Sequence, residues 1–372
     1  METAKPARVK RPRDPRLDFF RGVGMVIILL AHIPGNSWTL WIPARFGFSD
    51  ATEMFVFLSG MASAIAFGTT FDRHGTVALV ARVAHRIWQI YWAHVAIFVT
   101  ITAIMVTAGT RYDGVSYVAS LNLMPFIKDP GHLLAALLAL VYVPNYFDIL
   151  PMYIVILALM PVMLLAERLH RGASFALMIL LWLASQVGLT ALPAEPWSDR
   201  PWFFNPFGWQ LLFFTGFFLM RGSLPVPRPN PLLMLLSVVL VLASVPFAWG
   251  PFHQIHPFFG AAAADIGWLT QKTDFGLLRF VHFLALGYIA ANVVGERGSR
   301  LRGRVVEVMK VVGQQSLAVF MTGMVVAQII GIGLDLAGRS ALDEVIGNLF
   351  GIGVLIAVAY LVRWFKASPW KA

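Results

Sequence analysis

The chain has 372 residues, of which 58% are hydrophobic and 13% charged, with no cysteine and a formal net charge of +10. A water-soluble domain carries about a quarter of its residues as charges, so this composition excludes an ordinary soluble fold and describes a polytopic membrane protein. The missing cysteines exclude catalytic thiols, thiolate-bound metals and disulfides.

About 20 apolar residues cross a hydrocarbon core about 30 Å thick. Ten such segments are predicted in chain order, near 17–35, 50–70, 84–108, 146–166, 173–191, 205–221, 231–249, 276–294, 312–333 and 342–365. Proline clusters such as Pro225, Pro227, Pro229 and Pro231 separate them. The stretch 131–143 is apolar but too short to span, and is predicted as a re-entrant or interfacial helix. The expected fold class is all-α, a polytopic membrane protein with about ten transmembrane helices. No repeat and no long polar insert divides it. One transmembrane domain is expected over 17–365, between a basic tail at 1–16 and a short tail at 366–372. The first segment carries Asp18, Arg21 and His32 and has no small-residue cleavage pattern, so it reads as a retained helix and not as a signal peptide.

Lysine and arginine set the orientation. With the N-terminus inside, the inner segments hold 21 of them and the outer loops hold 6, namely Arg45, Arg111, Lys128, Arg200, Lys272 and Arg339. Both termini are therefore expected in the cytoplasm. The basic balance is a topology signal, and nucleic acid is not an expected partner.

Charges inside a bilayer are costly and mark function. In the first span Arg21 and His32 are eleven positions apart, which is within about 20° of three full turns and about 16 Å along the axis. Asp18 lies one turn before Arg21 and is placed to neutralise it. The second span opens with Asp50 and Glu53, and Glu53 enters the membrane at the depth where His32 leaves it. A carboxylate on an imidazole fixes its tautomer and raises its basicity, so Glu53 is expected to orient His32 as a general base, while Asp50 reads as an N-cap.

Other polar groups gather at the same outer level. They are Asp148 and Tyr153 in the fourth span, Asn205, Trp209 and Gln210 in the sixth, and Lys272, Asp274, Arg279 and His282 in the eighth. An outer vestibule is expected from them. Gln314, Gln315 and Ser316 lie instead at the inner end of the ninth span, near Arg21. His253 and His256 lack a nearby carboxylate, so no metal site is expected, and no phosphate-binding glycine loop is present.

The run Asp18-Phe19-Phe20-Arg21-Gly22 followed by His32 resembles the Arg-x10-His motif of the integral-membrane acyltransferase-3 superfamily. Glu53-Met54-Phe55-Val56-Phe57-Leu58-Ser59-Gly60 is similar to its second-helix motif, with Glu53 where Asp is frequent. The segments 148–153, 205–210, 272–282 and 313–316 resemble one branch in particular, the osmoregulated periplasmic glucan succinyltransferase (OpgC-type) family. That resemblance implies a multi-pass inner-membrane enzyme that moves an acyl group from cytosolic acyl-CoA to a periplasmic glucan.

Under that reading Arg21, Asp18, Gln314, Gln315 and Ser316 receive the donor, and His32 with Glu53 performs the transfer. Lys272, Asp274, Arg279, His282, Asp148, Tyr153, Asn205, Trp209 and Gln210 bind the acceptor or an acyl carboxylate. Succinyl-CoA or acetyl-CoA is the expected co-substrate, membrane lipid the expected surroundings, and no tightly bound cofactor is expected. Direct transfer and a covalent acyl-histidine both remain open. The competing class is a secondary transporter or exporter of a small anionic or glycan-related substrate, and such proteins place their sites near the bilayer midplane between related halves. Here the polar residues gather at one surface and matching halves are not apparent.

Overall fold

The computed structural model describes residues 14–111 and 114–371. Among these there are helices and no β-strand, only two isolated bridges, Thr110 with Ser116 and Pro193 with Pro201. Most of the predicted basic tail, residues 1–13, lies outside the described residues. Helix α1 (Pro15–His32) starts on Asp14, whose side chain accepts from the Arg16 backbone N–H. Helix α2 (Ala51–Ser63) starts with a capping box made by Asp50 and Glu53. A single π turn over Ala64–Gly68 joins it to α3 (Thr69–Ala108). Gly75, at φ 76°, kinks that long run where the sequence predicts an inner turn.

Three short helices follow, α4 (Tyr117–Ser120), α5 (Met124–Lys128) and α6 (Pro130–Leu138). Helix α6 occupies the 131–143 stretch with nine residues, too few to cross a bilayer. Helices α7 (Ile149–Ala158) and α8 (Met160–Leu169) are one apolar run, interrupted next to Pro161, which has no N–H to give. The chain continues with α9 (Arg171–Gln186), α10 (Pro206–Arg221), α11 (Pro231–Ala248), α12 (Gly250–Ile255), α13 (Pro257–Asp265) and α14 (Gly267–Thr270). It ends with α15 (Leu277–Val293), α16 (Arg304–Gln314), α17 (Ser316–Ala337) and α18 (Ala341–Ala367).

Every predicted span overlaps a helix. Five helical runs among the described residues are long and apolar enough to cross a membrane: Ala51–Ala108, Ile149–Leu169, Pro231–Ala248, Ser316–Ala337 and Ala341–Ala367. The first has 58 residues and contains two predicted spans. The remaining four predicted spans fall on α1, α9, α10 and α15, which are shorter or carry more charge.

Two close crossings bring the first two helices into the middle of the bundle. A Cβ on Gly22 of α1 would stand 2.0 Å from Met309 O, and one on Gly313 of α16 would stand 1.9 Å from Asp18 O. The same reciprocity joins α2 and α10, where a Cβ on Gly60 would meet Phe213 O at 1.9 Å and one on Gly216 would meet Phe57 O at 2.4 Å. In lipid, where water does not drive helices together, such small residues let backbones pack directly. These crossings fix where the ends of α1 and α2 stand, and the functional residues sit on those ends.

Candidate active site

Between α1, α2 and α17 lies a cavity of about 640 Å³. Its apolar end is formed by Ile28, Phe55, Phe320 and Met324, with the Phe55 and Phe320 rings stacked at 6.1 Å. His32, Lys272 and residues of the loop segments 145–149 and 200–204 supply its polar groups and the rest of its lining.

His32 is the last residue of α1, where the next backbone turn is already open. Its Nδ1 is 2.7 Å from the Ile28 carbonyl oxygen. A carbonyl only accepts, so Nδ1 carries the hydrogen and Nε2 keeps its lone pair. The ring lies edge-on to Tyr146 at 5.3 Å, and the Tyr146 hydroxyl donates to Met324 O at 2.7 Å. Tyr146 stands at φ 86°, an unusual backbone for a tyrosine, and the turn it makes brings Asn145 and Asp148 to the cavity wall.

Glu53 does not orient His32. Its Oε1 accepts from Arg279 Nε at 2.7 Å and lies 2.6 Å from Arg279 Nη2, and its Oε2 accepts from the Asp50 backbone N–H at 2.7 Å. Both oxygens are thus committed, and the residue is fully buried. Asp50 extends the cluster by pairing with Lys272 Nζ at 2.5 Å and Arg279 Nη2 at 3.6 Å.

Of the nine residues expected to bind acceptor or acyl carboxylate, Asp148 and Lys272 line the cavity. The other seven are placed elsewhere, each for a visible reason. Arg279 is held by Glu53, so it is not an open carboxylate clamp. His282 Nδ1 is 2.7 Å from Ser49 Oγ and its ring packs on Phe48, bracing the approach to α2. Asn205 and Trp209 serve the backbone of the Lys272 loop: Asn205 N–H donates to Thr273 O and Trp209 Nε1 to Lys272 O, both at 2.9 Å. Asn205 Nδ2 also donates to Asp274 Oδ1 at 2.9 Å. Burial pushes the Asp274 carboxyl up against that bond. From α9, Gln186 and Trp182 donate to Asp274 O and Phe275 O. Four successive carbonyls are therefore satisfied from outside the loop, which fixes where Lys272 points. Gln210 ties α10 to Met178 O of α9, and Tyr153 packs on Phe213.

At the end of α1 away from His32, Asp18 is buried and accepts from Gln314 Nε2 at 3.1 Å. Gln315 accepts instead from Lys366 Nζ at 2.7 Å. Arg21 is half-buried on α1, and Ser316 opens α17. None of these five lines the cavity. Ser316, Phe320 and Met324 are spaced four apart, so one stripe of α17 leads from the Asp18–Gln314 end to the cavity, as the stripe from Arg21 through Ile28 to His32 does on α1.

The sequence reading missed Asn145, Tyr146, Arg200 and Trp202, all on the cavity wall. Arg200 is held by Glu195 Oε2 at 3.0 Å and donates to Val143 O at 3.1 Å. Burial raises the Glu195 carboxyl, but Ser198, Arg200 and Asn122 outweigh it and hold it below the usual range.

The model of one protein family, described as OpgC protein, matches residues 13–367, nearly the whole chain. No curated protein and no solved structure matches it.

Proposed function

The chain belongs to the OpgC family, and on that premise we propose that it is a membrane O-acyltransferase that moves an acyl group, succinyl in the first instance, from cytosolic acyl-CoA to a hydroxyl of a periplasmic glucan. The observation that carries the reading is His32: a tautomer fixed by Ile28 O, at the end of a membrane helix, with Nε2 left as a base in a cavity large enough for a sugar and an acyl group. In this mechanism His32 Nε2 takes the proton of the acceptor hydroxyl as its oxygen attacks the thioester carbonyl. The C–S bond then breaks, the ester forms, and the proton passes to the departing CoA thiolate. Attack by His32 itself, through an acyl-imidazole, reaches the same products.

The donor enters from the cytoplasmic side along the facing stripes of α1 and α17, with Arg21, Asp18, Gln314, Gln315 and Ser316 at the mouth. This division requires ten crossings, both termini in the cytoplasm, and a place in the inner membrane with lipid around α11, whose leucines at 232, 235, 236 and 242 are exposed. Arg279 is bound to Glu53 and does not line the cavity, whereas Lys272 does, and its ammonium, which gives one hydrogen to Asp50, has others to offer a succinyl carboxylate.

The test is mass spectrometry of envelope glycans from cells with the wild-type protein, with His32→Ala, and with neither. Glycans lacking one succinyl substituent in the last two support the proposal. Loss of an acetyl substituent keeps the mechanism and changes the donor. Identical glycans in all three, with no product from radiolabelled acyl-CoA, favour a transporter.

A further inference from the structure

Three residues of the cavity wall carry a buried polar atom with no hydrogen-bond partner among the described residues; one, Arg200 Nε, faces Glu195 Oε2 at 3.0 Å, and the other two are complementary. Asp148 is 6% exposed and its Oδ1 is unpartnered; Trp202 is 4% exposed and its Nε1 is unpartnered. Both residues line the cavity that holds His32. A buried polar atom without a partner is costly, so such atoms are ordinarily satisfied by something the site receives. One of these is an acceptor and the other can only donate. A group that answers both is a hydroxyl, which gives one hydrogen and accepts another.

The scaffold around the pair is built to hold it. Trp202 N–H donates to Leu192 O at 2.8 Å, and its indole packs with Val143 and Ala194. Asp148 follows the Tyr146 turn, which is anchored both to His32 and to α17. The base and the unpartnered pair therefore belong to one rigid wall. Phe203 and Phe204 extend the lining beside Trp202.

The geometry points to an acceptor subsite formed by Asp148 and Trp202, in which one hydroxyl of the sugar donates to Asp148 Oδ1 and accepts from Trp202 Nε1, so that a neighbouring hydroxyl is the one presented to His32. It rests on the acyltransferase reading above and adds to it the residues that choose the position acylated. No bond to the sugar changes at this subsite. It binds and orients, and Asp148 and Trp202 are positioning residues.

The experiment uses the full-length protein in membranes, succinyl-CoA and acetyl-CoA as donors, and an unsubstituted glucose oligosaccharide as acceptor. Products are mapped by two-dimensional NMR. The wild type should give one dominant regioisomer. Asp148→Asn and Trp202→Phe, each close in shape to the original, should raise the acceptor KM roughly ten- to hundredfold. They should also spread the acyl group over several hydroxyls and leave the KM for acyl-CoA unchanged. Monodeoxy oligosaccharides given to the wild type supply the same test without a mutation, since loss of the anchoring hydroxyl should reproduce the variants' mixture. Variants and deoxy sugars that keep a single isomer and an unchanged acceptor KM overturn the subsite alone. A wild type that acylates no oligosaccharide with either donor overturns the acceptor reading and the subsite with it.

Discussion

Two groups of polar side chains stand at the same end of the bundle and differ in how they are answered. Asp50, Glu53, Lys272 and Arg279 form a quartet in which each charge meets an opposite charge within 3.6 Å. On the facing wall, Asp148 Oδ1 and Trp202 Nε1 are unpartnered, and His32 commits only one of its two nitrogens. The first group joins α2 to α15 and builds the wall. The second, under the proposed function, is the one a substrate would engage. Pairing, more than the presence of charge, distinguishes the two groups, with Lys272 at their border.

If that contrast is right, removing a scaffold charge should harm the protein and removing a cavity group should harm only the reaction. The largest effect is expected for Glu53→Gln, which leaves Arg279 buried against a neutral amide. Breaking a buried pair costs about 3–5 kcal/mol, so the amount of folded protein in membranes, read by size-exclusion chromatography in detergent, should collapse. Pairing Glu53→Gln with Arg279→Leu should restore much of it. A Glu53→Gln protein that is abundant but inactive would break the comparison, because Glu53 would then belong with the cavity groups.

Next in size is His32→Ala. The protein should be as abundant as wild type, with acyl transfer down by roughly 10²–10⁴-fold, the range for a lost general base. Substantial activity in that variant would remove His32 from the reaction. Lys272→Met sharpens the boundary, because Lys272 lies in both groups: it pairs with Asp50 and lines the cavity. Arg279 still sits near Asp50, so the fold should survive. The KM for succinyl-CoA should rise about tenfold more than that for acetyl-CoA. Equal rises would leave Lys272 as scaffold alone.

The sequence made the helices legible because prolines and glycines punctuate long apolar runs, and it made His32 legible because its spacing from Arg21 repeats a helical face. Other parts were hidden for physical reasons. The error over Glu53 came from judging partners by membrane depth. Asp50 and Glu53 three residues apart, before an apolar run, are themselves a capping-box signature, and that pattern already commits a carboxylate oxygen to the backbone. Trp209 and Asn205 read as sugar binders because side-chain type says nothing about which carbonyls a loop leaves open. The Tyr146 turn was invisible since a tyrosine at φ 86° is chosen by its surroundings and not by its own preference. Residues 200–204 have no helical or strand period, so nothing in the pattern placed Trp202 beside Asp148.

The smallest expected effect concerns how the 192–204 loop holds Trp202 and Arg200 at the cavity. Glu195 binds Arg200 at 3.0 Å and accepts from Ser198 and Asn122, and its carboxyl is held below the ordinary value of 4.5. A carboxylate whose folded value is depressed stabilises fully above its unfolded value, and that contribution is lost as the pH falls through the folded one. The loop should therefore be unaffected near neutrality and loosen only in acid, below the usual glutamate range. The pair is partly exposed, so the contribution should be no more than about 1 kcal/mol. Amide hydrogen exchange over 192–204, corrected for intrinsic rates, should show extra opening on acidification in the wild type and none in Glu195→Gln, which starts from the looser state. The same acid-dependent opening in both proteins would mean that the loop is held by the Leu192, Val143 and Ala194 contacts of Trp202 and not by the ion pair, whose part in holding this side of the cavity wall would then fall away.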